Sequence, residues 1–391
     1  MASKYYDYIF LGTGCASLSI IMRMLHSNKF SEKKILLIDR ENKTRNDRTW
    51  CFWEQDDGFF EDIVYRKWHE VLFKGADDET IALEMNNYQY KMIRGIDFYN
   101  DCFSKIDAQK NIEIIRGEIS FEETNGLLTI KIDNELLLFD KDTVIFNSLY
   151  IPLKKQKNKF YLLQHFKGWI VESENDFFNF SKATLMDFRV QQTYGTTFVY
   201  VLPLSSTKAL IEYTLFSENI LPAAEYDTEL KIYVEEYLGL NKYKIEEEEF
   251  GVIPMTNTHF PYYKNGMYFI GTAGGQTKAS TGYTFRFIQK QADTIVSELI
   301  SKGIPSKKKK LKKRFSFYDS TLLHILSKKM LDGKLIFSAL FKRNKAIHIF
   351  KFLDNETTLA EEIKLINSLP KRAFIKAGFS EFFKMLLKNY N

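Results

Sequence analysis

The chain has 391 residues, of which 45% are hydrophobic and 27% charged, a composition that excludes a wholly disordered protein and allows two or more domains. No run of about 18 apolar residues occurs, so we expect no membrane-spanning helix. The net charge of +5 is unevenly distributed. Residues 301–391 carry 21 Lys and Arg against 7 Asp and Glu, and this basic end predicts an anionic partner.

The sequence also argues against a metal site, a nucleic-acid partner and a disulfide framework. The six histidines and three cysteines show no ligand spacing, so we predict no metal site. Nucleic acid would suit the basic end, but no nucleic-acid motif accompanies it, and we predict no such partner. The odd number of cysteines, without framework spacing, predicts a reducing compartment.

The first predicted element is an apolar strand over residues 8–11, which ends in the turn Gly12-Thr13-Gly14. Apolar residues then recur at helical spacing from Cys15 to about His26. This arrangement directs backbone N–H groups and a helix N-terminus at one point, as in pyrophosphate sites. Ser17 replaces the third small residue of the usual fingerprint and weakens the motif without removing it.

Residues 34–39 predict a second buried parallel strand that ends in Asp39, where a ribose-binding acid is expected. An aromatic segment follows over residues 46–53. We interpret its two Trp and one Phe first as a local plug, that is, aromatic rings that pack together and have only a structural role. Residues 70–94 alternate in the manner of an inserted antiparallel sheet, and a helix follows to about residue 108.

Short strands are predicted over residues 112–147, and mainly strands over residues 160–250. The Lys-rich residues 153–159 are the predicted domain crossing. A strand over residues 267–271 then ends in Thr272-Ala273-Gly274, and a helix is expected to start near Thr281-Gly282. Two glycine-rich junctions so far apart in the chain favour FAD over a freely exchanging nicotinamide.

One acid in the predicted strands has unusual neighbours. Glu212 alternates with apolar residues on both faces of a strand over residues 208–216. A carboxyl in an apolar site has a raised pKa and can donate a proton near neutral pH. The alternative is a carboxylate that pairs with a basic residue or lies on an edge, and the sequence leaves both open.

The last 87 residues are predicted to be helical, with apolar stripes set among lysines. An ordinary amphipathic bundle packed on the core explains this pattern. A surface that meets an anionic membrane also explains it, with a gain of roughly 1 kcal/mol per nearby basic residue.

Taken in order, these segments resemble the flavin-dependent lycopene cyclases, in particular the bacterial lycopene β-cyclase branch. The resemblance rests on the glycine turn with Asp39, on residues 47–53, on residues 198–204 followed by Leu210-Ile211-Glu212-Tyr213-Thr214, on residues 251–255, and on residues 271–275 with 281–283. The family usually has Asp directly after the acid, whereas Tyr213 stands here, which puts the role of a second carboxyl in doubt.

The resemblance implies an α/β fold, with a Rossmann-like FAD-binding domain, an antiparallel-sheet substrate domain and a basic C-terminal helical region. We assign residues 1–75, 95–150 and 250–302 to the first, 76–94 and 151–249 to the second, and 303–391 to the third. The predicted catalytic acid is Glu212. The predicted cofactor-binding residues are Gly12, Gly14, Cys15, Ala16, Asp39, Arg40, Trp50, Arg94, Gly271, Thr272, Ala273, Gly274, Thr281 and Gly282.

The implied activity is a redox-neutral cyclisation of the linear ends of lycopene to β-ionone rings, through γ-carotene to β-carotene. It implies reduced FAD with NADPH as reductant, and a peripheral position on the cytoplasmic side of a membrane. The sequence leaves two alternatives open: a flavin monooxygenase, reductase or halogenase acting on another apolar substrate, and a non-catalytic dinucleotide-binding protein of the membrane surface.

Overall fold

The computed structural model describes residues 5–77, 79–124, 127–150, 156–308 and 312–388. The strands are β1 (Tyr8–Leu11), β2 (Ile35–Asp39), β3 (Thr49–Glu54), β4 (Arg66–Trp68), β5 (Glu70–Lys74), β6 (Thr80–Leu83), β7 (Gln89–Arg94), β8 (Ile112–Arg116), β9 (Ile119–Thr124), β10 (Leu127–Ile132), β11 (Glu135–Leu136), β12 (Val144–Asn147), β13 (Tyr161–Ser173), β14 (Lys182–Asp187), β15 (Thr196–Pro203), β16 (Lys208–Ser217), β17 (Tyr243–Thr256), β18 (Tyr263–Lys264) and β19 (Met267–Phe269).

The α-helices are α1 (Cys15–His26), α2 (Gly95–Asp107), α3 (Ala223–Ile232), α4 (Phe285–Lys302), α5 (Lys313–Ser327), α6 (Gly333–Arg343), α7 (Ala346–Leu353), α8 (Leu359–Ser368) and α9 (Lys371–Lys388). A π-helical turn, Tyr233–Tyr237, continues α3, and 3₁₀ turns cover Glu61–Ile63 and Gly271–Gly274. No helix in the described ranges is long and apolar enough to cross a bilayer.

A six-stranded sheet in the order β18-β19-β12-β1-β2-β8 forms the first layer. Its strands are parallel except at the β18–β19 edge. The residues of β1 and β2 are all buried, as expected for parallel strands covered on both faces. Helices α1 and α4 pack together over one face through an apolar cluster. The predicted α/β fold with a Rossmann-like sheet is therefore confirmed.

A seven-stranded sheet in the order β17-β13-β16-β15-β14-β5-β6 forms the second layer. Its neighbouring strands are antiparallel except for the β14–β5 pair. Helix α3 and the π-helical turn cover one face, and helices α5 to α7 pack on the other face. The apolar stripes of the C-terminal region thus bury part of their surface as an ordinary bundle would.

Some segments lie elsewhere than the sequence predicted. Strand β7 was placed with the inserted sheet, but it pairs with β3 and β4 in a separate three-stranded sheet. The predicted domain boundary at residue 75 separates β5 from β6, but these two strands pair with each other, and β5 also pairs with β14. Helix α4 begins at Phe285 rather than near Thr281, because Gly282 (φ +74°) stops a helix there. The alternation of apolar and polar residues identifies a strand but not the strand with which it pairs. The division into domains therefore stays a prediction.

Candidate active site

The glycine turn after β1 is held by a buried network. Gly12 has φ +88°, and a Cβ there would overlap Ser148 Oγ, so only glycine suits this position. Asp39 Oδ2 accepts hydrogen bonds from Thr13 N at 2.7 Å and Thr13 Oγ1 at 2.9 Å. Burial acts to raise the pKa of Asp39, but a hydrogen bond from the backbone N–H of Glu41 and these bonds from Thr13 lower it overall. In this structure Asp39 braces the turn, and its contact with a ribose stays a prediction.

The outer face of the turn is open. A Cβ on Gly14 would meet nothing within 4 Å among the described residues, and Gly14 adopts an extended conformation that any residue can take. Within the part of the chain that the structure describes, no side chain caps the N-terminus of α1, so its first N–H groups remain available to an anion. Arg48 lies beside Cys15 and Tyr99, yet its side chain is 52% exposed, as in the wall of a cleft.

The second glycine junction meets the first one. Gly271 has φ +59°, and a Cβ there would lie 2.8 Å from the Ala16 side chain, so the turn packs tightly on the start of α1. The backbone N–H of Gly271 donates to Gln291 Oε1 at 3.0 Å. The structure therefore brings together predicted residues that are 255 positions apart, namely Gly12, Gly14, Cys15, Ala16, Asp39, Gly271, Thr272, Ala273 and Gly274.

The two glycine junctions and the start of α1 together form what we call the glycine cradle. Three other predicted cofactor residues lie around it. Trp50 packs against Phe98, Tyr99 and Phe285, as the plug interpretation expects. Arg40 is exposed. Arg94 forms a bidentate pair with Asp97 and lies over a tyrosine ring.

Thr281 and Gly282 lie next to the seven-stranded sheet rather than beside the glycine turn. A side chain at position 282 would overlap Gln164 of β13. Thr281 Oγ1 is buried without a hydrogen-bond partner among the described residues.

Glu212 lies in the middle of the seven-stranded sheet, on β16 between β13 and β15. It shares a face with Leu210 and Phe216, which belong to the cluster under the C-terminal helices. Tyr213 points to the other face, into the cluster around α3. An acid directly after Glu212 would therefore face away from it, which explains why Tyr213 is compatible with an acid site.

The second carboxyl comes from β17, which the sequence reading did not identify. Gly168 of β13 is paired with Glu212 on one side and with Glu249 on the other. The two glutamates are two strands apart, about 10 Å between backbones, and they share a face. Because Gly168 has no side chain, both carboxyls can extend over it: a Cβ there would come within 3.3 Å of Glu249 Oε1.

The two carboxyls form a coupled acid pair. Burial raises the pKa of Glu212 well above its usual range, and the charge of Glu249 raises it further. Burial also raises the pKa of Glu249, while the hydrogen bond from Thr49 and the neighbouring Glu212 carboxyl lower it. Thr49 Oγ1 donates to Glu249 at 2.8 Å, and Thr214 Oγ1 donates to Glu212 at 2.7 Å. The pair therefore favours one shared proton, with Glu212 as its holder.

The acid pair faces an internal chamber that polar and aromatic side chains surround. Cys51, Glu212, Glu249 and Tyr283 are half-buried and lie close enough for the charges of the acids to affect Cys51 and Tyr283, and we call the space between them the acid chamber. Tyr90 interacts with Cys51, and Tyr200 with Tyr283, around the same chamber. These rings offer electron-rich faces to a cation.

Strand β3 connects the glycine cradle to the acid chamber. Arg48, which precedes it, lies beside Cys15 at the start of α1, and Thr49 contacts Glu249. Cys51, two residues further, lies close enough to both acids for their charges to raise its pKa. An elongated cofactor held at the glycine cradle can therefore extend along this strand to the acid pair.

The fold and the glycine cradle define a structural class, that of the Rossmann-like α/β proteins, and this fold occurs in solved flavin-dependent enzymes. The chain superposes on a geranylgeranyl bacteriochlorophyll reductase-like protein of Thermoplasma acidophilum with a TM-score of 0.60, 13% identity, and coverage of 95% of this chain and 98% of the other. For the flavin-dependent brominase Bmp2 the TM-score is 0.55, at 13% identity and 99% coverage of each chain. These likenesses concern the fold alone.

The sequence places the chain in one family of enzymes within this class. The family model described as lycopene cyclase protein matches residues 7–378. A lycopene beta-cyclase of Pantoea ananas is 23% identical over 300 residues, which cover 74% of each chain. The chain belongs to the lycopene cyclase family, and the predicted resemblance is confirmed.

Proposed function

We propose that this protein is a lycopene β-cyclase that closes the linear ends of lycopene by acid catalysis without net oxidation or reduction. The coupled pair Glu212–Glu249 in an enclosed aromatic chamber is the observation that carries this proposal. Family membership and the likeness to lycopene beta-cyclase support the substrate class. A hydrocarbon offers no polar group, so the reaction must begin with proton transfer to a carbon–carbon double bond.

The two carboxyls have complementary roles in the proposed reaction. Glu212 donates its proton to the terminal double bond of the linear end, and the next double bond attacks the resulting cation to close a six-membered ring. Glu249 accepts the proton that the ring loses to form its double bond. Glu249 then releases this proton to solvent and Glu212 takes up another, so that the reaction is a net isomerisation.

FAD is the proposed cofactor, and its flavin supplies an electron-rich ring that stabilises a nearby cation when it is bound and reduced. The chain fits it because the open face of Gly14, the uncapped start of α1 and Gly271 with Ala16 form a cradle for a pyrophosphate. Arg48 lies beside Cys15 at this cradle, and its side chain is half-exposed. NADPH is the proposed source of electrons, and it would be needed only to keep the cofactor reduced.

Gly14→Val is expected to abolish FAD retention while leaving the fold intact. The valine fits the extended backbone, but its side chain occupies the open face where the pyrophosphate would lie. FAD recovered with the protein after gel filtration should fall about tenfold or more, with the unfolding temperature of the cofactor-free protein unchanged. Gly14→Ala is the matched control, and FAD retained in full by the valine variant would contradict this cradle.

Expression in bacteria that accumulate lycopene tests the proposed activity. Conversion of lycopene to γ-carotene and β-carotene is the expected result. Unchanged lycopene alongside folded, FAD-loaded protein would overturn the proposal. A monooxygenase, reductase or halogenase would consume O₂ or NADPH in proportion to substrate, whereas a cyclase consumes neither in this way.

A peripheral position on the cytoplasmic face of a membrane is also proposed. Helices α8 and α9 expose Leu359, Ile363, Phe379 and Phe383 by about 60% each. These apolar side chains lie on a basic part of the chain, which favours an interface with anionic lipid.

Vesicle flotation tests the membrane interface. The protein should float with anionic vesicles at low salt, less with neutral vesicles, and less again at high salt because counterions screen the attraction. Phe383→Asp should weaken flotation, since it places a charge in the apolar surface. Leu136→Asp, at an equally exposed apolar residue on β11, is the control. Failure to bind anionic vesicles at low salt would remove the membrane claim and leave the catalytic one.

A further inference from the structure

A second chamber lies among the C-terminal helices, apart from the acid pair and the glycine cradle. It encloses about 730 Å³ and is lined mainly by apolar side chains of α5, α6, α7 and α9. Pockets that bury small organic ligands usually measure roughly 300–1,000 Å³. The size and the lining of this chamber therefore fit an elongated apolar ligand.

The inner end of the chamber approaches the acid pair. Thr281 is part of its wall, and Tyr283, two residues further, borders the acid chamber. Phe337, also in the wall, contacts the ring of Phe216. Phe216 lies four residues after Glu212 on the same strand, about 13 Å away. A linear molecule could thus occupy the chamber and place one end at Glu212.

The outer end of the chamber opens at the surface of α9. Ile375, Phe379 and Phe382 line the chamber, and they are also 55%, 62% and 44% exposed. Side chains that both line a cavity and face outward mark its mouth. This mouth lies within the apolar surface of α8 and α9, where a ligand that is insoluble in water could pass from a lipid phase without crossing solvent.

We propose that this chamber binds the unreacted length of a linear polyene while one end lies at Glu212, and that the α9 mouth is the point of entry. The inference rests on the proposed function for the class of ligand, a long unsaturated hydrocarbon. A chamber with few polar groups holds such a chain by apolar contact along its length. The reacting end alone then meets polar side chains.

Gly378→Trp tests the chamber directly. Gly378 lines the chamber on α9, and a Cβ there would lie 3.8 Å from Phe317, an ordinary contact. The indole of Gly378→Trp fills the space that the ligand needs, whereas Phe383→Trp, on the same helix but outside the chamber, should bind lycopene as the wild type does. Lycopene retained after gel filtration in detergent should fall about tenfold or more in the Gly378→Trp variant, with FAD retention and unfolding temperature unchanged. Retention equal to the wild type would overturn the proposal.

If Gly378→Trp does not fold, a second pair of variants tests whether the ligand enters the chamber at α9. Phe379 and Phe383 are both exposed on α9, by 62% and 59%, but only Phe379 lines the chamber. In detergent solution, where membrane docking has no part, Phe379→Asp should reduce lycopene retention and Phe383→Asp should not. Equal retention by the two variants would contradict an entry at this mouth.

The outcomes separate the chamber from the proposed reaction. Wild-type protein that retains lycopene, loses it in the Gly378→Trp variant and never cyclises it would support the chamber and overturn the cyclase proposal. Wild-type protein that cyclises lycopene while Gly378→Trp binds and cyclises it equally well would overturn the chamber and leave the cyclase proposal standing.

Discussion

Glu212→Gln is expected to lower the rate of lycopene cyclisation by about 10³-fold or more, because Glu212 is the group that holds the proton of the acid pair and donates it to the substrate. Glutamine has nearly the same shape and can still accept the hydrogen bond from Thr214. The variant should therefore fold and retain FAD. Pigment analysis in a lycopene background and a rate measured with purified protein are the two readouts.

The unfolding temperature of the Glu212→Gln variant distinguishes a catalytic role of Glu212 from a structural one. Burial raises the pKa of Glu212 above the ordinary value of 4.5, so the folded protein binds this proton more tightly than the unfolded chain. The stability from this group is present below pH 4.5 and is lost as the pH rises through the raised value. Glu212→Gln removes the loss of folding stability that comes with ionisation of Glu212. The variant should therefore unfold at the same or a higher temperature than the wild type at neutral pH. A variant that is inactive because it is unfolded would contradict the assignment.

Glu249→Gln is expected to reduce the rate about 10²-fold and to move the alkaline limit of activity to lower pH. The rate falls because the group that accepts the proton from the ring is gone. The pH limit moves because the charge of Glu249 raises the pKa of Glu212, so its removal lets Glu212 ionise at lower pH. The rate as a function of pH, measured with the reduced holoprotein, checks both effects.

Glu248→Gln is the matched control for this variant. Glu248 is the neighbour of Glu249 on β17, points to the opposite face and pairs with Lys167 at the surface. Its replacement should change neither the rate nor the pH limit. If Glu249→Gln lowers the rate but leaves the pH limit unmoved, Glu249 has a merely structural role and the coupled pair is wrong.

The fold class and the glycine cradle could be predicted because their signals are local. A strand, a glycine turn and a helix lie within 20 residues, and the positive φ of Gly12 and Gly271 needs glycine wherever the rest of the chain lies. The meeting of the two junctions then follows from the parallel sheet, since the ends of neighbouring parallel strands lie at one edge.

The acid pair could be predicted only in part, because its second member depends on register. Glu249 ends the run Glu246–Glu249, which has the composition of a solvated edge strand, and nothing near it in sequence identifies it as buried. Its partner is set by how β13 pairs with β16 and β17. The sequence prediction ended one strand at Phe166 and began another at Trp169, whereas the structure has one strand, β13, that includes Gly168. The available signal was this glycine, since a glycine within a strand often marks a close approach of other groups.

Strand β7 illustrates the same limit. Its alternating residues were identified correctly as a strand, but alternation is the same whichever sheet receives the strand. The pairing of β7 with β3 places Arg94 opposite Thr49, and so ties the aromatic segment to the acid chamber. The chemistry of this region thus arises from long-range pairing that the sequence pattern does not contain.

Cyclisation of lycopene in D₂O by the reduced holoprotein, followed by mass spectrometry of the product, tests the central claim most directly. The protons of Glu212 and Glu249 exchange with solvent between turnovers, so each ring that closes should carry one deuterium. NADPH should not be consumed in proportion to product. A cyclic product without deuterium, or one formed with stoichiometric loss of NADPH, would contradict acid catalysis by the Glu212–Glu249 pair.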